Sequence, residues 1–129
     1  MRIARLLLIA AVAALPTTYA SAEAVLAFYS GSKLVEQMRG WERVDHGRSL
    51  EADDNLRFMN YLGYVTGVAD TLSASSMICV GSQSNPGQLS AAVAKYLNAN
   101  PDSWDDSAVA LVARALLGAF PCEAAPAKP

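Results

Sequence analysis

Residues 53–76, DDNLRFMNYLGYVTGVADTLSASS, decide how this chain folds. Asp53 and Asp54 open the stretch, where carboxylates suit the positive end of a helix dipole. Phe58, Leu62, Val65, Ala69 and Leu72 then recur at alternating steps of four and three, which is one apolar face of a helix. Gly63 and Gly67 lie four apart and so share a side of it. Each costs a helix interior about 1 kcal/mol relative to Ala. The pair therefore predicts close packing on the backbone at those two positions. Nowhere does the chain show the strict apolar/polar alternation of a half-buried strand.

Helices are also expected on either side of this one. Gly81-Ser82-Gln83-Ser84 marks a turn after Cys79, and Asn85-Pro86-Gly87-Gln88 supplies an N-cap, a proline at the first helical position and a Gln three residues past the cap. A third helix runs from there through Leu89, Val93, Tyr96 and Leu97, until Asn98-Ala99-Asn100-Pro101 ends it. A fourth begins near residues 103–107, carries Ala108, Leu111, Val112, Ala115 and Leu116, and stops at Pro121. Upstream, Ser30-Gly31-Ser32 signals a first helix over about 31–39, ending at Gly40. Residues 40–52 carry mixed charge without a period and are expected to be a loop. The expected fold is all-α, a small bundle of four or five short helices with one disulfide.

The first 22 residues belong to another kind of segment. Arg2 and Arg5 precede an uninterrupted apolar run over residues 6–15, and Pro16-Thr17-Thr18-Tyr19-Ala20-Ser21-Ala22 follows it. That order is a secretory signal peptide cleaved between Ala22 and Glu23. A membrane anchor would need about 20 apolar residues, and Pro16 ends the run too early. Cleavage takes 22 of 129 residues and leaves 107, with 8 basic and 12 acidic side chains. Residues 23–122 would form one helical domain, and the Ala/Pro-rich residues 123–129 a mobile tail. Export implies an oxidising compartment, in which Cys79 and Cys122 are expected to pair. Two free thiols, one of them reactive, are the alternative.

The chain is 53% hydrophobic with a formal net charge of −2, so disorder is excluded as its main state. A mildly acidic chain with no basic cluster argues against nucleic acid, and against anionic membrane surfaces once the signal is gone. His46 is the only histidine and sits beside Asp45 in the expected loop. One His and two Cys 43 positions apart cannot supply the three or four closely spaced ligands of a zinc site. No phosphate-binding loop and no Gly-x-Ser-x-Gly elbow occurs. Asp102, Asp105 and Asp106 cluster without a base or nucleophile, which fits helix-terminal charge or a surface for a basic partner. No enzyme, cofactor or metal is expected.

The central stretch Tyr61-Leu62-Gly63-Tyr64-Val65-Thr66-Gly67-Val68-Ala69-Asp70 resembles the central helix motif of the Rap/Tai immunity proteins. Further similarities follow in order: Cys79, then Gln88-Leu89, then Val93-x-Lys95-Tyr96-Leu97-x-x-x-Pro101, then Ala115-Leu116 and Phe120-Pro121-Cys122. Phe28-x-x-Gly31-x-x-Leu34 is similar to the family's opening helix. Family members often hold two more cysteines, at places that here are Met38 and Tyr61, as loss of one disulfide would leave them. The resemblance implies a periplasmic protein that binds and occludes a peptidoglycan amidase effector delivered by type VI secretion, often as a homodimer. It also implies structural roles for Gly63, Tyr64, Gly67, Asp70, Phe120 and Pro121.

Filling an amidase cleft calls for a loop or a helix end. The most polar aromatic-bearing connector is 98–107, where Trp104 would anchor and Asp102, Asp105 and Asp106 would meet basic groups. Residues 41–48, with Trp41, offer a second candidate of the same character. A periplasmic acid-stress chaperone of the HdeA type, or a helical envelope adaptor with no toxin partner, is the competing expectation. Such chaperones are also small, helical, exported and held by one disulfide.

Overall fold

A computed structural model describes residues 28–48 and 51–122. The expected signal peptide, its cleavage point at Ala22 and Glu23, and the tail 123–129 lie outside the described residues. Four α-helices follow in order: α1 Gly31–Asp45, α2 Ala52–Ala74, α3 Pro86–Ala99 and α4 Ala108–Ala119, with a 3-10 turn at Pro101–Ser103 before α4. Apart from one antiparallel bridge between Ser30 and Ser107, no extended pairing occurs among the described residues. The all-α bundle is as the sequence predicts, and Cys79 and Cys122 are bonded.

Helix starts follow their caps. The Ser30 hydroxyl accepts from the Lys33 N–H at 3.2 Å. Asn85 and Gln88 close a reciprocal capping box, at 3.0 Å from the Gln88 N–H to Asn85 Oδ1 and 3.1 Å from the Asn85 N–H to Gln88 Oε1. α4 begins without a side-chain cap. Its Ala108 N–H instead donates to the Tyr29 carbonyl at 3.0 Å, while the Gly31 N–H donates to the Asp106 carbonyl at 2.8 Å. Two helix starts thus satisfy each other's free backbone groups.

The first helix runs to Asp45, five residues past Gly40, and the loop expected over 40–52 shrinks accordingly. Gly40 does not stop α1, because the glycine in the left-handed region is Gly47 at φ +63. There the Gly47 N–H reaches the Val44 carbonyl and the Arg48 N–H reaches the Arg43 carbonyl, the paired bonds of a Schellman ending. α2 ends in the same way on Ser76 at φ 54, with Met77 N–H on the Leu72 carbonyl. Gly40 serves a different purpose. A Cβ built on it would collide with the Arg57 Cβ of α2, so Gly40 is where α1 and α2 cross closely. Gly31 likewise faces the Trp104 and Asp106 carbonyls, at 2.6 and 2.7 Å from where its Cβ would be.

The core is the meeting of the four apolar faces. Leu34 and Met38 of α1, Tyr61 and Val65 of α2, Val93 and Leu97 of α3, and Leu111, Val112 and Leu116 of α4 have no exposure to solvent. Met38 and Tyr61 therefore fill space at the centre of the bundle as apolar mass. The Tyr61 hydroxyl donates to the Ser90 carbonyl at 2.9 Å, and its ring lies 5.4 Å from that of Trp41. Around the core, Arg43 binds Asp54 through both guanidinium arms, with Nε to Oδ2 at 2.9 Å, clamping α1 to the start of α2.

The close packing predicted on Gly63 and Gly67 is not found. Both are exposed, and no described atom comes within 4 Å of the place their Cβ would occupy. Helical period put them on one side correctly, but that side of α2 lies opposite its buried face of Tyr61, Val65 and Ala69.

Candidate partner-binding surface

The four residues expected to meet a partner share one turn but have separate tasks. Trp104 is half-buried against the core, and its indole N–H donates to the Leu97 carbonyl at 3.0 Å. The Arg39 guanidinium lies 5.6 Å above its ring, within the range of a cation–π contact. Asp106 is held by α4: its carboxylate pairs with Arg114 at 2.5 Å and keeps that guanidinium above its usual pKa by the hydrogen bond it accepts. Its carbonyl also carries the Gly31 N–H. Asp102 and Asp105 are exposed. The turn therefore presents two carboxylates on a framework fixed by Trp104 and Asp106.

The second candidate, residues 41–48, does not offer its tryptophan. Trp41 lies inside α1, is 5% exposed, and points into the core. Helix continuation past Gly40 put it there. Asn98 ties the two regions together, its Nδ2 donating to Glu42 Oε1 at 3.0 Å.

The remaining motif residues divide between packing and surface. Tyr64 stacks on Tyr29 with ring centroids 4.9 Å apart, and burial raises both phenol pKa values above the ordinary range. Phe120 packs against the core, and its carbonyl accepts the Cys79 N–H at 3.0 Å. That bond, the turn at Pro121 and the Cys79–Cys122 disulfide, with Cα atoms 4.8 Å apart, close the end of α4 onto the end of α2. Asp70 is exposed on α2.

An open apolar groove that the helical periods do not reveal lies between α2 and α4. It encloses about 410 Å³, with Gly63, Gly67 and Val68 on one wall and Val109 and Ala113 on the other. Val109 is 44% exposed. The signal available was the Gly63/Gly67 pair itself, whose missing side chains leave that wall open.

Among the described residues no group of three or more His, Cys, Asp or Glu is placed to hold a metal ion. No described helix is long and apolar enough to cross a membrane. Compared with known families, residues 30–122 match the family model described as Rap1a immunity proteins. No curated protein matches the chain.

Proposed function

This chain belongs to the Rap1a immunity protein family, and from that premise we propose that it protects the periplasm by binding a peptidoglycan amidase effector of type VI secretion and covering its cleft. The observation that carries the reading is the extent of the family match. It takes in all four helices and both cysteines, not a single motif. The protein acts by stoichiometric binding, without a catalytic step of its own. The apolar run at residues 6–15 behind Arg2 and Arg5 supports export, and a second copy of the chain would complete a homodimer as in related immunity proteins.

Asp102 and Asp105 are the contact groups this reading favours, because they are exposed, of one sign, and mounted on a turn that Trp104 and Asp106 hold still. Carboxylates at an interface rim act on association rate and its salt dependence more than on dissociation. The test begins with a small exported amidase encoded beside this gene. The purified chain should abolish its cleavage of peptidoglycan at one equivalent. Asp102→Ala with Asp105→Ala should slow association about 10-fold at low salt and flatten its salt dependence, leaving the melting temperature unchanged. No inhibition at ten equivalents would refute the reading. So would protection of unrelated proteins from aggregation at low pH in place of inhibition, which is chaperone behaviour.

A further inference from the structure

We propose that the cleft between α1 and α2 lined by Gln37 binds the main chain of an extended peptide, and that the hollow beside it takes a large apolar side chain of the same peptide. Gln37 is out of character with its surroundings. It shares the buried face of α1 with Leu34, Val35, Met38 and Trp41, and its own exposure is 3%. A buried amide is costly unless both of its ends are hydrogen-bonded. Gln37 Oε1 accepts from Asn60 Nδ2 at 3.3 Å, a long bond. Among the described residues Gln37 Nε2 has no partner, and Gln37 lines a cleft of about 270 Å³. Asn60 Oδ1, across the cleft on α2, has none among them either. The amide pair therefore leaves one donor and one acceptor, and a peptide unit supplies the carbonyl and the N–H that match them.

The charges around the cleft decide against an ionic ligand. Lys33 binds Glu36 at 2.8 Å, Glu36 meets Arg57 at 3.5 Å, and Arg57 binds Asp53 at 2.8 Å. Two cations and two carboxylates are thus paired in one chain, with no net charge left to hold a carboxylate or an ammonium group. A neutral amide enters without breaking that chain. The next hollow favours a peptide over the acetamido group of an amino sugar. Past Asn60 the cleft opens into about 440 Å³ lined by Met59, Gly63 and Tyr64, and Tyr29 and Asn60 border both spaces. Leu56 and Met59, along the two spaces, are 59% and 60% exposed. In an extended chain, main-chain amides alternate with side chains. A main chain held at Gln37 and Asn60 therefore carries a side chain to the hollow, and taking an apolar one out of water drives the binding. The site's chemistry is independent of whether the effector is an amidase.

The test is nuclear magnetic resonance of isotope-labelled exported protein titrated with the blocked peptide acetyl-Ala-Leu-Ala methylamide. The side-chain amide signals of Gln37 and Asn60 should shift and saturate, while that of Asn98, bonded to Glu42 outside the cleft, should stay in place. Exchanging the leucine of the peptide for alanine should weaken binding several-fold, and added salt should leave it unchanged, since no charge is matched. Sodium acetate and N-acetylglucosamine should give no saturating shift. Gln37→Leu keeps the volume at that position and should weaken the peptide about 10-fold by removing a hydrogen bond to it. If Gln37→Leu does not fold, Asn60→Ala, at an exposed position, should give the same loss. Four results would each overturn the proposal: no saturating shift with the peptide, equal binding of acetate or N-acetylglucosamine, no loss on exchanging the leucine, or parent-like binding by a folded variant. Inhibition of an amidase is not part of the readout, so the functional reading stands or falls separately.

Discussion

Substituting Ala for Gly in a helix usually stabilises it, and Gly40→Ala should do the reverse. The helix propensity gain is about 1 kcal/mol. Against it stands the Arg57 Cβ, which a Cβ at position 40 would strike. Carbon atoms sit comfortably at about 3.5–4.0 Å, and a β-carbon cannot rotate away as a side-chain tip can. α1 and α2 would have to part, loosening Met38 and Trp41 against Tyr61 in the most extensively packed helix pair of the bundle. Overpacking of this kind costs about 1–3 kcal/mol, so after the propensity gain the net loss should reach up to about 2 kcal/mol. For a domain of this size, 1 kcal/mol moves the melting temperature by about 4–8 °C. Gly118→Ala is the matched control, a helical glycine with nothing within 4 Å of its Cβ position. It should gain about 0.5–1 kcal/mol. Thermal unfolding followed by circular dichroism at 222 nm reads both. A Gly40→Ala protein melting at or above the parent would refute the crossing argument, whatever Gly118→Ala does.

Three more outcomes are expected. Replacing Cys79 and Cys122 together with Ser should cost about 2–4 kcal/mol, since a loop spanning 43 positions is released in the unfolded chain; urea titration of oxidised parent and variant measures it, and equal midpoints would contradict it. Ser76→Gly should stabilise by about 0.5–1 kcal/mol, because a left-handed residue at φ 54 closes α2 at the position glycine favours; a melting point below the parent's would contradict that. Burial holds the Tyr61 phenol far above its usual pKa, so the folded protein keeps that proton after the unfolded chain has lost it. The stability this gives is whole below about pH 10 and declines as pH rises beyond it. Tyr61→Phe should lower stability at pH 7 by about 0.5–1.5 kcal/mol through the lost bond to the Ser90 carbonyl. It should also flatten the decline between pH 10 and 12, and an unchanged slope there would count against the burial argument.

Fold class was legible because the four apolar faces are periodic and three of the four helix starts carry polar or proline signals. The α1 ending was not, because a glycine inside a charged stretch has two physical uses. At Gly47 it takes a positive φ, and at Gly40 it yields space to another helix. Sequence alone sees only the residue, and the nearer glycine reads as the stop. The same ambiguity moved Trp41 from loop to core. The candidate surface was legible as a cluster of charge but not as a division of labour. Nothing in the spacing of Asp102, Asp105 and Asp106 says that one of them is bound to an arginine eight residues on.

That division applies to the central motif too. Tyr61, Val65 and Ala69 are buried, and their presence is explained by the core they fill. Gly63, Gly67 and Asp70 occupy the opposite, exposed side, and no described atom lies within 4 Å of where a Cβ of either glycine would be. Two interior glycines cost a helix about 2 kcal/mol relative to alanine, a large share of what a domain of this size has to spare. Packing among α1–α4 does not offset that cost, since alanine would fit at both positions without moving anything described. What the two glycines leave is open space, the groove lined across from them by Val109 and Ala113 of α4.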